Sequence, residues 1–245
     1  MTWRALEEEF ARWRAAGRTP DFWWRDDDAT KPTPELRRLL ALSASSNVPL
    51  ALAVIPLAAV PELFAELSAS VLMHGTDHRN RAAAGEKKTE FAVTEGEDAA
   101  LARLASGRAR LAALAGGAFV PVLAPPWNRV KPSLVPRLAS AGLRGLSRYG
   151  ARASGTRAEV NTHVDIIDWR GSRGFCGEQA ALALAVRHLA ARRTGAADAE
   201  EPTGVLTHHA VHDAAAWDFL EQLFARTRRL GASWREAGEL FPSAS

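Results

Sequence analysis

The sequence has only one cysteine, Cys176, among its 245 residues. A single thiol excludes an internal disulfide framework and any zinc site built from several cysteines. A chain without disulfides fits a reducing compartment. The first residues, MTWRALEEEFARW, contain no uninterrupted apolar segment of the kind that secretory signals require. We therefore expect a cytoplasmic protein.

Long hydrophobic runs and blocks of like charge are also missing. The longest apolar run, residues 48–60, contains prolines and is shorter than the ~20 residues that a membrane-spanning helix needs. The 31 basic and 28 acidic side chains are interleaved and give a net charge of only +3, without a basic run of the kind that binds nucleic acid. We therefore expect neither a membrane nor a nucleic acid as partner.

Short apolar runs alternate with segments of helical periodicity along the chain. The strand candidates are residues 22–25, 49–55, 71–73, 119–123, 143–146, 164–167 and 205–207. Such alternation predicts an α/β fold with a parallel sheet covered by helices. About seven or eight repeats in a chain of this length favour a closed (β/α) barrel over an open doubly wound sheet. Because residues 195–202 are the only linker-like segment, residues 1–245 are predicted to form a single domain.

Ionisable residues follow directly after several of these strand candidates. Asp26, Asp27 and Asp28 follow the first, and Asp168 and His208 follow two later ones. In a parallel barrel these positions share the face on which barrel enzymes place their catalytic residues. A histidine at a strand end can act as a general acid near neutral pH, although a packed structural histidine is the alternative for His208.

A histidine pair, His74 and His78, lies four residues apart after the third strand candidate. Two imidazoles and one carboxylate form a three-ligand metal site with positions left for water and substrate. The carboxylate could come from the aspartates at 26–28 or, less easily, from the adjacent Asp77. Two surface histidines and an acidic capping turn are the structural alternatives. Three adjacent carboxylates repel one another, so a bound dication or Arg25 is expected nearby.

Other polar and aromatic residues receive simpler interpretations. The indoles of Trp23 and Trp24 are expected in the core, whereas Trp127 is the best candidate for a substrate wall. His188 lies within a predicted helix and is expected to be solvated. The long polar segment 75–93 is predicted to be a functional loop. Its residues Lys87, Lys88 and Glu90 could close over the site, but we expect them to face solvent.

Taken in order, these motifs resemble those of the polysaccharide deacetylases, the NodB-homology superfamily that contains carbohydrate esterase family 4. The resemblance covers about residues 23–213. The family motif Thr-Phe-Asp-Asp corresponds to residues 25–28, His-x-x-x-His to residues 74–78, and Leu-x-His to residues 206–208. The fourth motif resembles residues 165–169. The third motif, Arg-x-Pro-Tyr, is altered because Ala124 replaces its arginine.

The resemblance implies a distorted (β/α)7-8 barrel of the NodB-homology type and a metal-dependent hydrolase that removes acetyl groups from N-acetylated or O-acetylated sugars or glycans. It implies that Asp27 is the catalytic base, that His208 is the acid, and that Asp168 orients or tunes the acid. One divalent metal is implied, with Zn²⁺ as first choice and Co²⁺, Ni²⁺, Mn²⁺ or Fe²⁺ as alternatives. The implied metal ligands are Asp28, His74 and His78. The expected substrate contacts are Pro126, Trp127, Trp169, Arg25 and Arg129.

Two other functions fit the same sequence. A hydrolase of a small amide, cyclic amide or ester on the same fold would suit a cytoplasmic location. A non-catalytic carbohydrate-binding relative would suit the loss of arginine at Ala124. In an active enzyme, either Arg25 or Arg129 could supply the missing charge.

Overall fold

The computed structural model describes residues 1–65, 67–153, 155, 156 and 158–241. Its strands are β1 (Asp21–Ala29), β2 (Ala51–Val54), β3 (Ser70–His74), β4 (Phe119–Ala124), β5 (Gly145–Leu146), β6 (Val164–Asp165), β7 (Thr203–Thr207) and β8 (Ser233–Trp234). Its α-helices are α1 (Trp3–Ala15), α2 (Pro34–Ser46), α3 (Glu97–Ala115), α4 (Glu178–Thr194), α5 (Ala214–Arg229) and α6 (Ala237–Leu240).

The strands form one parallel sheet in the order β5-β4-β3-β2-β1-β7-β6, with β8 paired to β1. Two isolated parallel bridges, Leu146 to Glu159 and Tyr149 to Thr162, connect the chain around β5 with the chain leading into β6. The sheet therefore curls into the distorted (β/α) barrel that the alternation of strands and helices predicts.

Two apolar layers stabilise the barrel. Inside the curled sheet, Trp23 contacts Phe241 edge-on at 6.2 Å between ring centroids, and small residues such as Ala51 and Ala53 leave room for both rings. Outside it, the helices pack a larger cluster of leucines and aromatic residues against the strands, Trp24 among them. The expected burial of both indoles is confirmed, since each is 1% exposed.

Helix boundaries follow the expected capping chemistry. The Thr33 hydroxyl accepts a hydrogen bond from the Leu36 amide at 3.1 Å, and the Asp213 carboxylate accepts one from the Ala216 amide at 2.8 Å. Residues 132–141 form a 3₁₀ helix, in which Pro136 lacks a backbone donor.

The first strand is longer than predicted. Its sequence suggested an end at Arg25, but β1 continues through the three aspartates to Ala29. Between Asp26 and Ala29 the register with β2 shifts, and Asp28 adopts a positive φ of 73°. This irregularity ends regular pairing where the chain must turn a carboxylate toward the barrel mouth. In the part of the chain that the structure describes, no helix combines the length and hydrophobicity needed to cross a membrane.

Candidate active site

Three side chains converge at the carboxyl ends of β1 and β3. Asp28 Oδ1 lies 3.1 Å from His74 Nε2 and 3.4 Å from His78 Nε2. Ligand atoms placed about 2.1 Å from one ion at angles of 90–110° are about 3.0–3.4 Å apart. The structure thus brings together the three residues proposed as ligands, and the two distances from Asp28 suit one small divalent ion.

The hydrogen bonds around His74 also fit a metal. Its Nδ1 donates to the Ala124 carbonyl at 2.9 Å, so the Nε2 of the neutral ring presents a lone pair toward Asp28. Asp28 Oδ1 is buried, and no hydrogen-bond donor among the described residues is aligned with it. Two acceptors that face each other need a cation between them.

A proton can fill the same place, as the pKa directions of the two groups show. Burial lowers the pKa of His74, but the negative charges of Asp27 and Asp28 outweigh it and raise the pKa above its ordinary value. Burial raises the pKa of Asp28, but the nearby imidazoles of His74, His208 and His78 bring it well below the ordinary range. The carboxylates therefore favour positive charge at His74, whereas burial and the charge of His74 lower the pKa of His78.

The loop after β3 is held by a buried carboxylate. Glu90 is fully buried and accepts hydrogen bonds from the backbone amides of Thr76 at 2.8 Å and His78 at 3.2 Å. Arg103 donates to the same carboxylate at 2.9 Å, and the Thr76 hydroxyl also contacts it. The expectation that Glu90 faces solvent is wrong, because its oxygens satisfy backbone donors of the loop that carries His78.

The same loop leaves no room for a larger residue at Gly75. This glycine has a φ of 60°, and a Cβ there would stand 2.7 Å from Pro126 and closer still to Glu90. His78 itself has a φ of 55°. Its ring packs against Trp127, with 4.5 Å between centroids. Two residues expected to contact substrate, Pro126 and Trp127, therefore border the cluster.

Asp27 forms a buried ion pair with Arg25 on the same strand. The guanidinium donates to both carboxylate oxygens, from Nε at 2.8 Å and from Nη2 at 3.0 Å. Its Nη1 donates to the Ser147 carbonyl at 2.9 Å and to the Ser147 hydroxyl at 2.6 Å. Arg129 instead donates to the Lys88 carbonyl. Arg25 is therefore the arginine that contacts Asp27.

His208 follows β7 and packs edge-on against Trp169, with 4.6 Å between ring centroids. The indole nitrogen of Trp169 donates to Asp165 at 2.9 Å. Burial raises the pKa of Asp165, and the charge of His208 opposes that rise. Trp169 is 40% exposed, so its ring can form part of a binding surface beside His208.

The Asp168 carboxylate accepts hydrogen bonds within its own loop. The donors are the backbone amides of Arg170 at 3.3 Å, Gly171 at 3.0 Å and Ser172 at 3.4 Å. The charge of His208 acts to lower the pKa of two other carboxyl groups, Asp165 and Asp28. That Asp168 orients or tunes His208 stays a prediction.

A buried pair, Asp26 and His209, lies behind these residues and was not predicted from the sequence. Asp26 is fully buried, and its Oδ1 lies 2.5 Å from His209 Nδ1. Burial raises the pKa of Asp26, but His209 and the hydroxyl of Thr207 lower it overall. Burial lowers the pKa of His209, but Asp26 raises it overall. The doublet His208-His209 was visible in the sequence, but the register that places Asp26 opposite Thr207 was not.

A second cluster of possible ligands, His163, His188 and Glu201, lies at the opposite end of β7. The Gly204 amide donates to His163 Nδ1 at 3.0 Å, so the neutral ring carries its proton on Nε2 and cannot bind an ion there. The imidazoles of His163 and His188 stack with 3.4 Å between ring centroids and 14° between ring planes. The lone pairs of their nitrogens lie in these nearly parallel planes and therefore do not point at one ion. We interpret this cluster as structural.

His188 belongs to this cluster and not to the solvated surface, so the expectation of an exposed side chain is wrong. It is 7% exposed, and its Nδ1 is 3.0 Å from the Thr203 hydroxyl. Burial lowers its pKa to about 2. Helical periodicity did not identify this buried face because α4 is alanine-rich and carries apolar residues on several sides.

No protein-family model and no curated protein matches this sequence. Solved structures match its fold. A peptidoglycan N-acetylglucosamine deacetylase, solved with an N-hydroxybenzamide ligand, has 14% identity and a TM-score of 0.61, with 91% of this chain and 89% of that chain covered. A family 4 carbohydrate esterase from Streptomyces lividans, solved with acetate, has 16% identity and a TM-score of 0.58, with 87% and 91% covered.

A mutant of a family 4 pseudoenzyme matches equally well, with 16% identity, a TM-score of 0.58 and coverage of 91% of this chain and 68% of that chain. The fold alone therefore does not establish catalysis. What the matches do establish is architectural: this chain has the curled (β/α) barrel fold of the polysaccharide deacetylases of carbohydrate esterase family 4.

Proposed function

We propose that the protein is a metal-dependent hydrolase that removes an acetyl group from an N-acetylated or O-acetylated sugar. The observation that carries this proposal is the cluster of Asp28, His74 and His78, whose spacing suits one divalent ion, beside the buried carboxylate of Asp27. Solved structures with this fold include a peptidoglycan deacetylase and a carbohydrate esterase, which supports the same class of reaction.

Zn²⁺ is the first choice for the ion, because two imidazoles and one carboxylate with further positions open are typical of catalytic zinc. When bound by Asp28, His74 and His78, the ion would supply Lewis acidity toward the acetyl carbonyl and would acidify the attacking water. The hydrogen bond from His74 to Ala124 keeps the ring turned for this role.

The chain's own groups complete the hydrolysis. Asp27, held in a fixed orientation by both hydrogen bonds from Arg25, takes a proton from water as the water oxygen attacks the acetyl carbon. His208 donates a proton to the leaving nitrogen as the carbon–nitrogen bond breaks, which gives acetate and an amine. In this scheme Asp168 acts on His208 only indirectly, through the loop that it shapes.

Two indoles border the proposed site from different sides. Trp127 packs on His78 and Trp169 packs on His208, so both rings stand next to groups that act on the acetyl unit. Aromatic rings stack well on the apolar face of a sugar. By resemblance, the backbone amide of Trp127 would also donate to the carbonyl oxygen as negative charge develops there.

The substrate could also be another small amide, a cyclic amide or an ester, because the same groups would serve each of these reactions. The cytoplasmic location and the single catalytic domain over residues 1–245 remain predictions from the sequence. The last four of those residues, 242–245, lie outside the part that the structure describes.

Metal content and acetate release from N-acetylglucosamine oligomers test the proposal. His74→Ala should lose both the metal and the activity. Asp27→Asn should keep the metal and lose activity by about 100-fold or more, as expected for loss of a general base. Asp77→Asn is the matched control, because this neighbouring carboxylate is paired with Arg81 and should not be needed for the metal. Stoichiometric metal in His74→Ala, or full activity in Asp27→Asn, would refute the assignment.

A further inference from the structure

We propose that the buried pair of Asp26 and His209 is a positioning device that fixes His208 relative to Asp27 and Asp28. This inference rests on the proposed function, in which His208 is the acid. The pair does not touch the substrate in this scheme. It acts through the backbone on either side of His208.

A single carboxylate holds both neighbours of His208. Asp26 Oδ2 accepts a hydrogen bond from the Thr207 hydroxyl at 2.6 Å and from the backbone amide of His209 at 2.9 Å. Asp26 Oδ1 lies 2.5 Å from His209 Nδ1. His208 therefore lies between two residues that are both bonded to the same side chain of β1.

The direction of these hydrogen bonds is fixed by a further partner. The indole nitrogen of Trp24 donates to the Thr207 hydroxyl at 2.9 Å, so that hydroxyl directs its own proton to Asp26. Asp26 and Thr207 are fully buried and Trp24 nearly so, which excludes water as a substitute partner. A buried network in which each group is satisfied holds one geometry well.

The catalytic scheme needs such a connection, because its groups come from different strands. Asp27 and Asp28 belong to β1, whereas His208 follows β7, and Asp26 pairs with Thr207 in the register between the two strands. Side chains alternate between the faces of a strand. Asp26 can therefore reach behind the site while Asp27 stays in it with Arg25.

The ring of His208 has little else to hold it. Its Nδ1 is buried and has no hydrogen-bond partner among the described residues. Its ring packs against the edge of Trp169, a contact without a hydrogen bond to the ring nitrogens. The placement of this ring thus depends on its backbone, which is the part that Asp26 and His209 hold.

Two substrates that differ in their need for an acid separate positioning of His208 from simple support of the fold. An amine leaves only after protonation, whereas nitrophenolate leaves without it. We therefore expect Asp26→Asn and His209→Leu to lower kcat on N-acetylglucosamine oligomers by about 10–100-fold, as a small misplacement of a catalytic group does. Hydrolysis of p-nitrophenyl acetate and the metal content should change little.

Three further variants complete the experiment. His208→Ala should show the same selectivity in a stronger form. His209→Asn should keep most of the activity that His209→Leu loses, because the asparagine amide can donate to Asp26 from near the position of Nδ1. His188→Leu is the same substitution on α4, where His188 contacts Thr203 at the other end of β7. It should affect both substrates equally. If Asp26→Asn does not fold, the Leu and Asn variants of His209 decide the question.

Equal losses on both substrates in Asp26→Asn and His209→Leu would show that the pair only supports the fold, and would overturn the proposal while leaving the proposed function intact. If His208→Ala itself does not distinguish the substrates, His208 is not the acid, and the proposed mechanism falls together with the positioning role.

Discussion

Glu90 offers a direct test of how the loop after β3 controls metal binding. Its carboxylate is fully buried and accepts hydrogen bonds from the amide and hydroxyl of Thr76, from the His78 amide and from Arg103. Glu90→Gln keeps the shape but replaces one oxygen with an amide nitrogen. That nitrogen is a donor, and it would face a backbone amide or the guanidinium, which are donors as well.

The size of the effect follows from these contacts. A lost hydrogen bond to a charged group costs about 1.5–3 kcal/mol when no water can replace it. Loss of a residue that orients a metal ligand commonly weakens metal binding by about 10–100-fold, which corresponds to about 1.4–2.8 kcal/mol. Because Glu90 holds the backbone of the proposed ligand His78, we expect the Kd for Zn²⁺ to rise by about 10–100-fold in Glu90→Gln.

Competition with a chromophoric chelator measures this Kd, and Co²⁺ provides an independent spectroscopic readout. Glu95→Gln is the matched control. Glu95 accepts hydrogen bonds from the same Arg103 at 2.8 and 2.9 Å. The Thr76 and His78 amides donate to Glu90 instead. Its metal affinity should stay near that of the parent protein. Unchanged affinity in Glu90→Gln, or an equal loss in Glu95→Gln, would refute the role assigned to this loop.

Two further predictions concern stability. Arg25→Met leaves Asp27 buried without its partner and should lower the free energy of unfolding by about 3–5 kcal/mol, whereas Arg129→Met should change it little; urea denaturation measures both, and equal stability of the two variants would contradict the buried pair. The second prediction is pH-dependent. Because burial holds the pKa of His188 near 2, against an ordinary value of 6.5, only the unfolded chain takes up this proton as the pH falls below 6.5. Stability present above that pH should therefore be lost at about 1.4 kcal/mol per pH unit. His188→Leu should show a shallower acid dependence in urea denaturation, and an unchanged slope would show that another group is responsible.

The sequence was sufficient to predict the barrel and the convergence of Asp28, His74 and His78, because both depend on patterns that recur at strand ends. It could not decide between Arg25 and Arg129 as the partner of Asp27. That choice depends on Arg25 and Asp27 sharing one face of β1, and the predicted strand ended between them.

Other site residues have no local signature. Glu90 lies in a polar loop whose composition favours solvent, and only the folded path of the loop shows that its carboxylate satisfies buried amides. The pairing of Asp26 with His209 depends on the register between β1 and β7, which are far apart in the sequence. Interactions of this kind require the tertiary structure.

The position of Arg25 has a consequence for how this barrel could diversify. Because Asp27 and its guanidinium partner are two residues apart on one strand, the segment after β4 does not have to supply a charge for Asp27. Ala124 contributes to the site through its carbonyl, which any residue type would provide. Changes within the neighbouring residues 125–131 would therefore leave the charge partner of Asp27 in place.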